Sequence, residues 1–405
     1  MTNLDFKNRC AQLARSPYDP DLLYACCAAA GDAFADEMVA LIEERLRTLP
    51  SGEVIRLHDM HMLARYRDKH RRRAAGLSLT NAKSIADLDL RFAKDEVIAL
   101  IREAAAFLQR DRQSFAAAVL LADAYTALGA IDEAEKIFAQ LRRASGDHPS
   151  SVMNLDPMFH AALPSKVHDA AMNLPPVLVT RDVPVGTDRV VLTCADYFYF
   201  QKFGWGLVES FAGHNGPETC LALHIFDMLP EERAEVVQRL AAIPNLTWCL
   251  SGEWTGLRGG EALKARGYYH AVRFIRYWQL LLSSAASVWM VDADTIFKAG
   301  VDFMFEVLAG HDVGLYLLPG RFDVRNKVVA SCIGAANTPA ARDYLRGVAG
   351  YIAHYHAQGR LSWGIDQIAL YAVTMMHRQP LRIAGVPERV IDGSRGPDQI
   401  IWIAK

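Results

Sequence analysis

The chain lacks any run of about 18 uninterrupted apolar residues, so no transmembrane helix is expected. It lacks an excess of charge of either sign. Its 44 Lys and Arg stand against 46 Asp and Glu, a formal net charge of -2. That balance excludes a polyanion-binding protein driven by bulk charge, though not a local basic patch. Cysteine is sparse and unpatterned: the seven residues, at 10, 26, 27, 194, 220, 249 and 332, form no CxxC pair. Cys194, Cys220, Cys249 and Cys332 lie in apolar runs and read as small buried hydrophobes in a reducing compartment. No GxxxxGK[ST], HExxH or nucleophile elbow occurs, which removes the commonest P-loop, zinc-protease and serine-hydrolase readings. The opening MTNLDFKNRC has no apolar leader-like stretch, so the expected location is cytoplasmic, with peripheral membrane contact left open. What is present is ordinary globular composition. At 405 residues, 51% hydrophobic and 22% charged, the chain is long enough for two or three domains.

Residues 1–150 read as helix throughout, rich in Ala, Leu, Glu and Arg. Within them, 118–149 places Leu121, Ala122 and Tyr125 on one helix, a Leu128-Gly129 turn, then Ala134 and Phe138 on a second. Small residues at 122 and 134 let two antiparallel helices approach, and Tyr125 and Phe138 fill the groove. This resembles a tetratricopeptide repeat. A weaker pair is expected at 21–48. The unit reads either as a groove for a peptide or protein, or as a helical cap that only packs on the next domain. Arg65, Arg67, Lys69, His70, Arg71, Arg72 and Arg73 form a basic run, read as a solvated face or as a contact for an acidic partner or anionic lipid.

Residues 151–188, with LPSK and LPPVLVTRDVPVGTD, read as a connector. From Arg189 short β-rich runs alternate with helical patterns, the mark of a layered α/β domain over 189–405. Strands are expected at 189–196, 220–227, 246–250, 287–294, 312–318 and 327–336, and helices near 200–211, 230–243, 267–283, 338–357 and 363–376. Asp196, Asp227, Asp292 and Asp294 fall at carboxyl ends of strands, where open α/β sheets bind ligands. Any one of them could instead cap a helix.

The strongest local signal is Val291-Asp292-Ala293-Asp294 after SVWM. In a strand, residues two apart face the same side, so these carboxylates could share one divalent ion; hard oxygens suit Mg²⁺ or Mn²⁺. Such an ion would bridge two phosphates and stabilise a departing diphosphate.

Four stretches together resemble the type A fold of nucleotide-diphospho-sugar glycosyltransferases, nearest the glycogenin and lipopolysaccharide galactosyltransferase group. They are VVLTCADYFYFQKFGWGLVES, LHIFDMLPEE, YYHAVRFIRYWQLLLSSAASVWMVDADTIF and SWGIDQIAL. The resemblance implies a type A sheet with flanking helices over 189–405, behind the N-terminal all-α repeat-like domain. It implies a metal-dependent transfer of a sugar from a nucleotide-sugar donor, a UDP-hexose, to an acceptor hydroxyl, on a protein or glycan bound by the helical domain. Asp292 and Asp294 would hold Mn²⁺ or Mg²⁺, with Asp292 also near the ribose. Thr193 to Asp196 and Tyr199 would line the base pocket. Arg273 or Arg276 would orient Asp292 or the nucleotide, and Asp366 and Gln367 would sit by the sugar and acceptor, Asp366 being the candidate base if the reaction inverts. The plainer readings are a packed aromatic for Tyr199, exposed helix charges for Arg273 and Arg276, and a helix cap for Asp366. Two departures stand out. KVVASCIGAA offers Cys332 and Gly334 where the family often has Asn before Gly, and PDQIIWIAK has no His for a third metal ligand. Asp398 or water would then serve, with Trp402 and Lys405 near the diphosphate. Gly259-Gly260 marks a loop that could close over the donor or only connect. The rival reading is a protein-binding adaptor whose α/β domain no longer catalyses. A nucleotidyltransferase ranks below both, because no Gly-rich loop follows the first strand.

Overall fold

The computed structural model describes residues 3–16, 19–30, 34–75, 90–144, 152–258, 262–318, 324, 327–377, 379–387, 389–391 and 399–403. The chain divides into two compact units. One holds Met1–Leu79, Ala86–Gly146 and Leu318–Lys327; the other holds Thr80–Ile85, Asp147–Leu317 and Val328–Lys405.

The first unit is helical: α1 (Asn3–Arg15), α2 (Pro20–Ala30), α3 (Ala35–Thr48), α4 (Val54–Ala74), α5 (Lys94–Arg110), α6 (Phe115–Ala127) and α7 (Ile131–Ala144). The repeat-like pair is α6 and α7. Ser114 caps α6 by accepting from Ala117 N at 3.4 Å, and Gly129 takes φ 73° in the turn, a conformation that costs glycine little. Ala122, Ala134 and Phe138 are fully buried, so the small residues do let the helices close. Val97, Leu100 and Ala104 of α5 extend this core. A second core joins α1–α4 around Leu23, Met38 and Ile42, where the Tyr66 hydroxyl donates to Cys27 O at 2.5 Å. The basic run on α4 is not a free face. Arg67 bonds Glu96 (2.8 Å) and Glu43, Arg71 bonds Glu96 (3.0 Å), and buried Arg72 bonds Asp68 (2.7 Å).

The second unit opens with two elements in the stretch read as connector. Helix α8 (Pro157–Asn173) begins on a proline and carries Pro164 inside; strand β1 (Leu178–Arg181) joins the sheet edge. Tertiary packing overrides the local composition here. α8 lies against α14 (Pro339–Ala357) closely enough that a Cβ on Gly350 would meet Leu163 O at 2.3 Å.

The sheet is built from β1, β2 (Arg189–Asp196), β3 (Thr219–Phe226), β4 (Thr247–Glu253), β5 (Ser287–Val291), β7 (Val313–Leu317), β8 (Val328–Ala335) and β9 (Ile383–Gly385). Their spatial order is β1-β4-β3-β2-β5-β8-β7-β9. β4, β3, β2 and β5 run parallel, while β8 is antiparallel to both β5 and β7. A two-stranded ribbon pairs β6 (Thr295–Phe297) with β10 (Ile401–Ile403). Trp289 of β5 is wholly buried, and a Cβ on Gly334 of β8 would meet its ring at 2.8 Å. Gly334 therefore has a packing reason to be glycine.

The flanking helices are the one-turn α9 (Tyr197–Tyr199), α10 (Trp205–His214), α11 (Pro230–Ala241), α12 (Ala262–Ser283), the short α13 (Asp302–Leu308), α14 and α15 (Ile365–Met376). From β2 the chain steps outward to β3 and then β4, and α12 carries it back to β5 on the other side of β2. The carboxyl ends of β2 and β5 thus flank a topological switch point, where a sheet of this kind opens a crevice.

Candidate active site at the β2–β5 crevice

A cavity of about 430 Å³ opens at that switch point. β2 supplies Cys194, Ala195 and Asp196 to its wall, and the segment after β5 supplies Asp292, Ala293 and Asp294. Strand pairing explains the meeting: Thr193 lies opposite Val291, so both chains leave the sheet at the same height. The carboxylates are not in the strand, as the same-side argument required. β5 ends at Val291, and the DAD triplet forms a turn closed by Thr295 N donating to Asp292 O at 3.1 Å. The turn still brings both carboxylates to one cavity.

Each carboxylate is fixed by a different element. Tyr199 on α9 donates its hydroxyl to Asp294 Oδ2 at 3.0 Å, and Asp294 is 1% exposed. Arg273 on α12 donates to Asp292 Oδ1, to Asp366 Oδ2 (3.0 Å) and to Ala330 O (3.2 Å). Burial works against the charge of Arg273, but Asp292 and Asp366 outweigh it and hold the guanidinium above its ordinary pKa. Asp366 on α15 also accepts from Gln367 N at 2.9 Å. Asp196 lines the cavity while capping α9, its Oδ1 accepting from Tyr199 N at 3.0 Å.

Several expected residues lie elsewhere. Arg276 does not reach the cavity. It is buried, paired with Glu253 and bonded to Pro175 O (2.9 Å) and Gln279 (2.8 Å), one helical turn beyond Arg273. Thr193 is 1% exposed within β2 and is not part of the cavity wall. Gln367 is half-buried and also off the wall. Asp227 takes φ 55° and is spent on its neighbours, accepting from Thr255 N (2.6 Å) and from the Tyr269 hydroxyl (2.6 Å). Cys332 is fully buried in β8. Gly259-Gly260, Asp398 and Lys405 lie outside the described residues; Trp402 is in β10, beneath Lys298.

The wall also holds residues that sequence reasoning did not assign: Lys202, Phe203, Tyr269, His270 and Trp363. Lys202 and Phe203 come from a π-turn, Phe200–Gly204, that widens the helix after Tyr199; such insertions often occur at functional sites. Their signal in sequence was their position three and four residues after Tyr199, on the same helical face. Burial pushes the Cys194 thiol up to about 12, so it lines the cavity as a neutral group.

Two hard carboxylates in one cavity fit a divalent cation whose remaining ligands come from phosphate and water. Among the described residues no hydrogen bond engages Asp292 Oδ2, and no set of three His, Cys, Asp or Glu side chains converges. The donor set suits Mg²⁺ or Mn²⁺ held mainly through its ligand, rather than a closed protein cage.

The tetratricopeptide repeat family model matches residues 96–152, which takes in α6, α7 and all but the first two residues of α5. No curated protein matches the chain. Among solved structures it is similar to the apo WbbM bifunctional glycosyltransferase, with 15% identity and a TM-score of 0.35 over 51% of this chain and 40% of that one. It is similar to the glycosyltransferase GlyE of Streptococcus pneumoniae TIGR4, with 14% identity and a TM-score of 0.32 over 50% of this chain and 46% of that one. It is also similar to the galactosyltransferase LgtC, with 12% identity and a TM-score of 0.35 over 50% of this chain and 74% of that one. The chain thus spans less than half the length of WbbM and GlyE. No helix among the described residues is long and apolar enough to cross a membrane.

Proposed function

We propose that the α/β unit is a metal-dependent glycosyltransferase that moves a hexose from a nucleotide-diphospho-sugar, a UDP-sugar, to an acceptor hydroxyl. The observation that carries this reading is the convergence of Asp292 and Asp294 on one cavity at the switch point, each held by a separate partner. A divalent ion bound there supplies positive charge to the diphosphate as it leaves. In the transfer, the bond from the anomeric carbon to the diphosphate oxygen breaks and its electron pair stays on the diphosphate. The acceptor oxygen bonds to that carbon and gives its proton to the diphosphate oxygen that leaves. Tyr199 and Arg273 keep the two carboxylates in place throughout, so no reorganisation is needed when charge develops. Asp366 is occupied by Arg273 and serves as a positioning residue rather than the base. Lys202, exposed on the cavity wall, is placed to meet donor phosphate. The helical unit, with its tetratricopeptide match, is proposed to bind the acceptor's carrier.

The test is UDP release from a panel of UDP-sugars with and without Mn²⁺. The expected result is metal-dependent release with at least one donor, abolished in Asp294→Ala while far-UV circular dichroism stays unchanged. Equal turnover in that variant removes the assignment, and absence of both turnover and metal-dependent nucleotide binding favours the adaptor.

A further inference from the structure

Trp363 stands out on the cavity wall. It is 59% exposed, although an indole gains more from burial than almost any other side chain. Its position is built. Ile365 N donates to Ser362 O at 3.3 Å, and Gly364 takes φ 83° and ψ 4°, which makes Ser362–Ile365 a type II turn with Trp363 at the first corner. The positive φ at Gly364 favours glycine, so the turn is written into the sequence. His270 then fixes the ring, with centroids 4.3 Å apart and planes at 74°. His270 is itself tied to the carboxylate system, because its carbonyl accepts from Arg273 Nε at 3.0 Å. Asp366, three residues after Trp363, grips the same arginine. The indole is therefore braced at the rim of the cavity that Arg273 and Asp292 also line, and it is open to solvent.

We propose that Trp363, backed by His270, is the platform of the acceptor subsite, and that the acceptor is a saccharide whose pyranose ring stacks on the indole. This rests on the glycosyltransferase reading of the cavity and names the acceptor's class. A pyranose has the two-sided chemistry the site offers. One face of the ring presents C–H groups, weakly positive and apolar, and these are attracted to the negative face of an aromatic ring. Its hydroxyls lie around the edge, toward the imidazole and the charged groups of the wall. A lipid chain has no such polar rim, and the flat groups of a peptide, its amide planes and aromatic rings, lack the rim of several hydroxyls that the polar groups around the indole can meet. The aromatic pair Tyr199 and Phe203 belongs to the β2 side and is left for the donor's base.

Saturation-transfer NMR on the full chain tests this with methyl α- and β-galactopyranoside, methyl α- and β-glucopyranoside and methyl β-N-acetylglucosaminide as probes, with and without UDP and Mn²⁺. At least one glycoside should receive saturation from the wild type. The signal should fall at least threefold in Trp363→Ala and be largely kept in Trp363→Phe. The thermal shift produced by UDP with Mn²⁺ should be the same in Trp363→Ala and wild type. No response from any glycoside, or an equal response in Trp363→Ala, overturns the platform. Loss of the UDP shift in Trp363→Ala also overturns it, since the indole would then stack the base. Failure of the glycosyltransferase reading looks different: the wild type itself would show no shift with UDP and Mn²⁺, whatever the glycosides do.

Discussion

The Tyr199 hydroxyl donates to Asp294 Oδ2 at 3.0 Å, joining a residue at the start of the first parallel strand's helix to a carboxylate 95 positions away. The tyrosine is thus more than one packed ring in a Tyr-Phe-Tyr-Phe run. It orients a proposed metal ligand. Removing an outer partner of a ligand typically weakens metal affinity ~10- to 100-fold. Tyr199→Phe keeps the ring and deletes the donor. The Mn²⁺ concentration giving half-maximal UDP release should rise ~10-fold or more, with little change in the KM of the sugar nucleotide. An unchanged Mn²⁺ dependence would make the bond incidental.

Asp366 can be separated from a base by the same measurement. Asp366→Asn takes a negative charge from Arg273 and loosens its hold on Asp292. A positioning role predicts a higher Mn²⁺ requirement, by ~10-fold. A base at the reacting oxygen predicts a lower kcat and a displaced pH profile at unchanged Mn²⁺ dependence.

Arg276 and Glu253 should behave as structural residues. Glu253 has a fully buried side chain, where burial works against its charge, yet His224, Arg276 and Tyr268 together hold its carboxyl below the ordinary range. Arg276→Met alone strands that charge and should cost about 3–5 kcal/mol of stability, read by denaturant unfolding. Arg276→Met with Glu253→Gln should recover much of the loss, since no buried charge is left alone. The KM of the donor should stay near wild type in the double variant. A large rise in KM without loss of stability would return Arg276 to the site.

These two arginines show what a sequence can and cannot disclose here. The carboxylates were legible because a charged pair ending an apolar run needs a reason, and strand ends in an α/β sheet supply one. Arg273 and Arg276 were not separable. They sit three apart on one helix, and only the partners decide between them: Asp292 and Asp366 arrive from the turn after β5 and from α15, while Glu253 arrives from β4. Trp363 gives no signal within SWGIDQIAL, since its meaning lies in its exposure at a cavity rim. The helix and strand within 157–181 are not legible, because the prolines of 151–188 speak for a connector; the close seat of α8 on α14 at Gly350 is a long-range fact. The repeat-like pair was legible since its signal, small residues at 122 and 134 with a glycine between, is local.

Acid should weaken the α/β unit through Asp312. Its carboxylate accepts from Arg382 Nη2 (2.9 Å) and Nε (3.1 Å), from the Arg382 backbone N (2.9 Å) and from the Thr338 hydroxyl (2.8 Å). The Arg382 side chain chiefly, with the backbone and Thr338 bonds, outweighs burial and holds the pKa at about 2, below the ordinary 3.8. A carboxyl with a lowered folded-state pKa stabilises fully above its unfolded value, and that contribution drains away as pH falls toward the folded one. The loss attributable to Asp312 should therefore fall between about pH 4 and pH 2. Arg382 is largely solvent-exposed, so salt should shrink the effect. Asp312→Asn removes the titrating group, and its unfolding free energy should vary less than that of wild type across that window. Parallel curves for the two proteins, measured by urea unfolding from pH 5 to pH 2, would show that the cluster joining β7 to the segment before β9 does not govern acid stability.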